Sequence, residues 1–274
     1  MDVTVITVAY HSLAVLPAMA RSLPPDVRLV VVDNGGEAGL AEWTFAQGAR
    51  LITAQGNIGF GRACNLGAEG GTTGFLLFLN PDARLAPGSL DALLEAAGRH
   101  PQAVAFGPLL QGADGVPGCK RVSALAPLDR VAAVPKTDTV VPVLSGAALL
   151  VRRQAFAAVG GFDPGLFLYF EDDDLSLRLR ATCGPLILVP AAKVLHQPGQ
   201  SSPASAALSW QRGYHLTRSY IHAARKHRLP LPLAMGLLHA LGFALSRRGL
   251  RTAQARAHGR GRLAGVWSRI AGQK

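Results

Sequence analysis

The sequence predicts an α/β protein: a mainly parallel, Rossmann-like sheet flanked by helices, followed by a basic helical C-terminal extension. Three observations carry this. Short β-branched apolar runs alternate with helical stretches through the first half of the chain, the rhythm of βαβ units. The 274 residues are 49% hydrophobic and 16% charged, with mean hydropathy +0.23, too apolar for disorder, and 31 Gly with 18 Pro exclude a coiled coil. Charge is also unevenly placed. Residues 1–174 hold all 17 Asp and Glu against 12 Lys and Arg, whereas residues 175–274 hold 16 Lys and Arg and no acid.

The apolar runs Val3 to Val8, Arg28 to Val32, Ala49 to Thr53, Phe75 to Leu79 and Ala103 to Phe106 read as strands. Between them, Leu13 to Ser22, Ala38 to Gln47, Arg62 to Glu69 and Ser89 to His100 read as helices, the last with Ser89 as its expected N-cap. Ligands of such sheets sit beyond the carboxyl ends of the strands, which singles out Ala9 to His11, Asp33 to Gly36, Gln55 to Gly61 and Asn80 to Arg84. Gly107 to Val141 lacks periodicity, carries Pro108, Pro117, Pro127 and Pro135, and is too long for an ordinary loop. Val143 to Val151 reads as a further strand. A turn at Gly160 to Pro164 precedes the acids Glu171, Asp172, Asp173 and Asp174, which head a helix to about Arg180, and Leu186 to Val189 with Lys193 to Leu195 complete the sheet pattern.

Cys64, Cys119 and Cys183 form no CxxC or Cys/His spacing, so neither a disulfide framework nor a zinc site is expected, and a reducing cytoplasm fits. The start of the chain has no basic n-region, and no secretory signal is expected.

Four constellations can carry chemistry. Asp33-Asn34-Gly35 places an acid just past a strand end, although the same triplet is an ordinary turn. Asn57 to Gly67 is a glycine-rich loop opening a helix, where backbone N–H groups can approach an anion. It has neither dinucleotide-fingerprint nor Walker A spacing. Asn80-Pro81-Asp82 holds a carboxylate on a rigid turn, suited to a hard cation shared with substrate phosphates, or again simply a turn. In Glu171 to Asp174, the helix dipole and an Asp174–Arg178 pair account for some of the acids. Four consecutive like charges still require a cation, a proton or a substrate nearby.

Taken in order, VVDNGG, NIGFGRACNLG, LNPDA, Ser145 to Arg153 and GGFDPGLFLYFEDDDLSLRLR, with the opening Val-Ile-Thr-Val-Ala-Tyr-His, resemble the family 2 glycosyltransferases, most closely their rhamnosyltransferase-like branch. The likeness covers roughly residues 2–200. It implies a GT-A fold, a nucleotide-diphosphate sugar donor such as dTDP-rhamnose or a UDP-sugar, Mg²⁺ or Mn²⁺, and inversion at the anomeric carbon. Position by position, it implies that Thr7, Ala9 and Tyr10 line the nucleotide pocket and that Asp33 contacts base or ribose. Asn57, Gly59, Arg62, Asn65 and Asn80 would border the donor. Asp82 would bind metal, with His196 as a further ligand, and Asp172 would be the general base, with Ser145, Gly146, Glu171 and Asp173 around the acceptor. This chain has His11, Gly36, Asn80 and Asp173 where the family commonly has Asn or Ser, Ser, an acid, and an apolar residue.

Domain expectations follow: residues 1–200 form the transferase domain, and 201–274 a basic extension that docks on the cytoplasmic face of a membrane bearing a lipid-linked glycan acceptor. Leu229 to Leu245 is a nearly unbroken apolar run flanked by Arg225, Lys226 and Arg228 and by Arg247, Arg248 and Arg251, as in an interfacial helix. The other reading is a helix that covers the catalytic domain. Nucleic acid is not the expected partner of the basic block, which has few aromatics and no recognised binding motif. A nucleotide-sugar-binding protein without activity remains the alternative to an enzyme, although it would not need Asp172.

Overall fold

The computed structural model describes residues 1–54, 56–196 and 205–272. Gln55 and the expected domain boundary at 200/201 lie outside them. The chain divides into two compact units, Met1–Asp163 with Asp172–Ser202, and Pro164–Glu171 with Pro203–Lys274. The eight residues 164–171, ending on the first acid of the cluster, thus group with the C-terminal helices.

In the first unit, β1 (Val3–Ala9), β2 (Arg28–Asp33), β3 (Arg50–Thr53) and β4 (Phe75–Leu79) pair in parallel in the order β3-β2-β1-β4. Beyond β4 the sheet becomes mixed. After β5 (Ala83–Leu85) come β6 (Ala105–Gln111), β7 (Pro117–Gly118), β8 (Val122–Ser123), β9 (Ala126–Arg130), β10 (Thr139–Val140), β11 (Ala148–Arg152) and β12 (Leu186–His196). β11 runs antiparallel between β4 and β6, β12 pairs parallel with β6, and β5 adds antiparallel to the far end of β12. The aperiodic stretch 107–141 therefore holds the end of β6 and four short strands. The two apolar runs at 186–195 are one strand, its register shifting between Val189 and Lys193 around Pro190. The expected strand at 143–151 begins only at Ala148, and residues 143–147 are irregular though apolar and largely buried.

Alternation sorts the core. Val3, Val5 and Ala9 of β1 join an apolar cluster with α1 (Leu16–Ala20), α2 (Leu40–Ala46) and α4 (Ser89–Arg99), while Ile6 and Val8 join a second with α3 (Phe60–Ala68), α5 (Arg153–Ala158) and α6 (Glu171–Thr182). Both faces are covered, which is why the strands read as nearly continuous apolar runs. Ser89 is not the cap of α4: Gly88 holds that position, and the Ser89 hydroxyl accepts from Lys193 N (3.0 Å) and donates to Lys193 O (2.9 Å).

In the second unit, α7 (Ala206–Lys226), α8 (Pro232–Leu245), α9 (Arg247–Leu250) and α10 (Ala253–Ile270) pack with residues 164–171. Ser205, Ser246 and Thr252 cap α7, α9 and α10 through their hydroxyls. α7 and α10 meet backbone to backbone, since a Cβ at Gly213 or Gly261 would land on the carbonyl oxygen of His258 or Trp210. Phe167 stacks on His215 at 4.2 Å, and the Ser219 hydroxyl donates to Leu168 O at 2.8 Å.

Candidate active site

The ends of β1, β2 and β3 form a network of loops tied by side-chain amides and carboxylates. Asp33 Oδ1 accepts from Gly35 N (3.0 Å) and Gly36 N (2.8 Å), so one carboxylate oxygen shapes the turn itself. Asn34 and Asn57 interlock: Asn34 Nδ2 donates to Asn57 Oδ1 (3.0 Å), Ile58 N donates to Asn34 Oδ1 (2.9 Å), and Gly59 N donates to Asn57 Oδ1 (3.1 Å). Gly59, at φ 89°, turns the chain into α3 in a conformation that a side chain would strain. Glu37, absent from every motif read above, accepts from Ser12 N (2.7 Å) and Leu13 N (3.0 Å), binding the loop after β1 to the loop after β2.

The other residues expected at the donor are placed as follows. Thr7 and Ala9 point into the core on the α1/α4 side, with almost no exposure. Tyr10 is half-buried, its ring edge-on to His11, which holds φ 50°. Arg62 is exposed on the first turn of α3. Asn65 clamps the backbone of Phe162, donating from Nδ2 to its carbonyl and accepting on Oδ1 from its N–H, both at 2.8 Å.

The turn after β4 is set by Ala83 N donating to Asn80 O (3.0 Å), and Asn80 N donates onward to Ala147 O (2.9 Å). β5 pairs with β12 so that Ala83 lies opposite His196, which brings His196 Nε2 to 3.4 Å from Asp82 Oδ1. Among the described residues no group of three or more His, Cys, Asp or Glu could hold a metal by itself. A carboxylate beside an imidazole does fit a divalent cation whose remaining ligands are substrate phosphate oxygens and water, the carboxylate being the usual protein ligand of Mg²⁺.

The segment that receives Asn80 also holds the acid cluster. Gly146 N donates to Asp172 Oδ2 at 3.0 Å, and a Cβ at Gly146 would crowd Asp172 Cβ at 3.2 Å, so glycine permits the approach. Ser145 Oγ accepts from Ala147 N and stiffens the same turn. Lys120, from the aperiodic stretch, donates from Nζ to Asp172 Oδ2 (2.9 Å) and Asp173 Oδ2 (2.7 Å). Burial works against its ammonium, but the two carboxylates outweigh burial and hold its pKa above the ordinary value. Asp173 is pushed up, first by burial and then by the charge of Asp172, with Lys120 opposing both. Asp174 is held by Arg178, whose Nε and Nη2 lie 2.8 and 2.7 Å from its Oδ2. Glu171 is buried at the start of α6, after two non-glycine residues with positive φ, Tyr169 and Phe170. The repulsion evident in the sequence is thus met by Arg178 one turn along and by Lys120 from a distant segment.

Three comparisons with known proteins bear on the family and the fold. The chain is 32% identical to N-acetylglucosaminyl-diphospho-decaprenol L-rhamnosyltransferase of Mycobacterium tuberculosis, over 88% of this chain and 90% of that protein. Among solved structures it is similar to GalNAc-T7 with UDP, GalNAc and Mn²⁺, at TM-score 0.65 and 15% identity over 99% of this chain and 57% of that one. It is also similar to the mannosyltransferase PcManGT from Pyrobaculum calidifontis with GDP-Man and Mn²⁺, at TM-score 0.62 and 15% identity over 97% of this chain and 87% of that one. At that identity the solved structures establish the fold, which is GT-A. Residues 4–160 match the family model for Glycosyl transferase family 2, and with the long alignment to the mycobacterial enzyme this means that the chain belongs to glycosyltransferase family 2.

Proposed function

We propose that this enzyme transfers a deoxyhexosyl or hexosyl group, rhamnose foremost, from a nucleotide-diphosphate donor to a hydroxyl of a lipid-linked glycan, inverting the anomeric carbon. The supporting observation is a pair of hydrogen bonds through one short segment. Asn80 N bonds Ala147 O, and Gly146 N bonds Asp172 Oδ2, so the turn bearing Asp82 and the acid Asp172 are fastened to adjacent residues. In this reading Asp172 takes the proton of the acceptor hydroxyl as it attacks, and a single displacement needs one such base. Asp82 and His196 would hold Mg²⁺ or Mn²⁺, which when bound neutralises charge on the departing nucleoside diphosphate. Gly59 and the first turn of α3 present a helix N-terminus to the diphosphate, and Asp33 keeps one carboxylate oxygen outside its own turn for the base or ribose.

The acceptor class suggests a membrane surface. Among the described residues no helix is long and apolar enough to cross a membrane, and the 14 residues of α8 rise only about 21 Å against a hydrocarbon core of about 30 Å. α8 instead exposes Leu238 (60%) and Leu245 (74%), with Leu237 and Leu241 also exposed, and Arg247, Arg248 and Arg251 follow it. That combination suits interfacial docking on anionic lipid.

The test is a panel of nucleotide sugars with Mg²⁺ or Mn²⁺ and a lipid-linked N-acetylglucosamine acceptor, the product anomer being read by NMR. Transfer with inversion is expected, falling at least ~10²-fold in Asp172→Asn while donor binding persists. A retained anomer, or near wild-type transfer by Asp172→Asn, defeats the assignment. Flotation with anionic liposomes tests docking: binding weakened by salt and by Arg-to-Glu changes at 247, 248 and 251 is expected, and a chain that stays at the bottom at low salt removes the membrane role.

A further inference from the structure

Asp172 Oδ2 carries two donors, Lys120 Nζ and Gly146 N, and Oδ1 carries one, Asp173 N. A carboxylate so occupied has no room on Oδ2 for an acceptor hydroxyl until one donor leaves. Two of the three are backbone N–H groups, fixed by the turn before β11 and by the first turn of α6. The third ends a flexible four-carbon stem and has a second seat already made, since Asp173 Oδ2 lies closer to it (2.7 Å) and is more deeply buried. Lys120 itself is 27% exposed, so its ammonium can move without leaving a cavity.

Resting on the reading of Asp172 as the base, we infer that Lys120 is a positioning residue for transfer: it keeps Asp172 aimed before the acceptor arrives, then passes wholly to Asp173 and vacates Asp172 Oδ2. The acceptor proton moves to that oxygen and the acceptor oxygen bonds the anomeric carbon. The bond from that carbon to the diphosphate oxygen breaks, its electron pair leaving with the nucleoside diphosphate. Asp173, where the family commonly has an apolar residue, is then the parking site that keeps the cation close. The groups facing the two carboxylates are Lys120 from between β7 and β8, the Ser123 side chain of β8, and the backbone of the turn before β11, with Glu171 adjoining in the chain. Without the ammonium, two neighbouring carboxylates share a proton at higher pH.

The experiment is the pH dependence of kcat/KM for the full chain with donor and lipid-linked acceptor. Lys120→Met is expected to move the acidic limb upward by about one pH unit or more, the effect of losing a contacting opposite charge, with the donor KM unchanged, and Lys120→Arg to restore it. Asp173→Asn, which removes the second seat, is expected to lower kcat at least tenfold at unchanged donor KM. A Lys120→Met limb that superimposes on wild type, while Asp172→Asn is inactive, overturns the role of Lys120 alone. Full activity in Asp172→Asn overturns the base assignment and this inference with it. Should Lys120→Met fail to fold, Lys120→Gln serves the comparison, and a carbon-13 carboxyl titration of Asp-labelled protein reads the same proton uptake without turnover.

Discussion

Replacing Asn65 by alanine separates two roles that sequence and structure give this residue. The family likeness puts it beside the donor, whereas the structure has it clamp Phe162 through two hydrogen bonds of 2.8 Å. Phe162 is fully buried and rings Phe60, Phe78 and Phe156, with centroids 5.1 to 6.0 Å away. Truncating Asn65 leaves the N–H and carbonyl of Phe162 without partners in that setting. At about 1–3 kcal/mol for each buried orphaned group, and with some relaxation, the cost is about 2–4 kcal/mol. For a domain of this size each kcal/mol lowers Tm by about 2–4 °C, so a fall of about 5–15 °C is expected. Differential scanning fluorimetry reads the Tm, and calorimetry with nucleoside diphosphate, well below it, reads affinity, expected within about threefold of wild type because no donor contact is lost. An Asn65→Ala protein with wild-type Tm and donor affinity weakened tenfold or more would show that the clamp reasoning is wrong.

Three further outcomes are expected. Asp82→Ala removes the metal-dependent part of nucleoside diphosphate affinity and leaves the fold intact; calorimetry with and without Mn²⁺ decides, and an undiminished metal effect counts against the Asp82–His196 pair as the metal site. Gly261→Leu forces α7 and α10 apart, because its side chain meets the Trp210 carbonyl, so far-UV circular dichroism and proteolysis should report loss of the C-terminal helices; an unchanged spectrum and digest would contradict the close packing. Burial, and then Arg218, holds His215 below the ordinary histidine pKa, and burial, and then Arg262, does the same for His258. The unfolded chain therefore binds more protons as pH drops through about 6.5, and the helical unit loses stability there. Melts at pH 7.5 and 5.5 should differ less in a His215→Gln/His258→Gln variant than in wild type, and an equal difference would refute the linkage.

Much of the fold was legible because burial on both faces leaves a strong signature. The parallel strands are runs such as Val-Val-Val at 30–32 and Phe-Leu-Leu-Phe-Leu at 75–79. What escaped is long-range. Ser89 has the chemistry of an N-cap, but its hydroxyl is committed to a backbone 104 residues away. Val143 and Leu144 have the composition of a strand, yet the chain there must remain irregular to present Gly146 N to Asp172. The site was legible in part. Repulsion among four acids announced that a cation was required, but nothing local could name Lys120, 52 residues before Asp172 in a stretch without periodicity. Thr7 and Ala9, expected at the nucleotide pocket, lie on the same buried face as Val3 and Val5, because a strand has period 2.

The long-range features share one cause, the reversal of strand direction beyond β4. Were β11 parallel to β4, its entry turn would lie at the opposite end of the strand, about 16 Å away for five residues. Because it runs antiparallel, Ala148 pairs with Leu79 and the turn at 145–147 arrives where β4 ends, so Asn80 bonds Ala147 and Gly146 bonds Asp172. The same device operates at β5, whose antiparallel register sets Ala83 against His196 and so brings the end of β12 to Asp82. A purely parallel sheet would offer the loops after β1 to β3 but neither the Asp82–His196 pair nor the bond from Gly146 to Asp172. In the proposed reading, two antiparallel pairings thus complete the transferase site, and substitutions that slip the register of β11 should remove transfer before they remove donor binding.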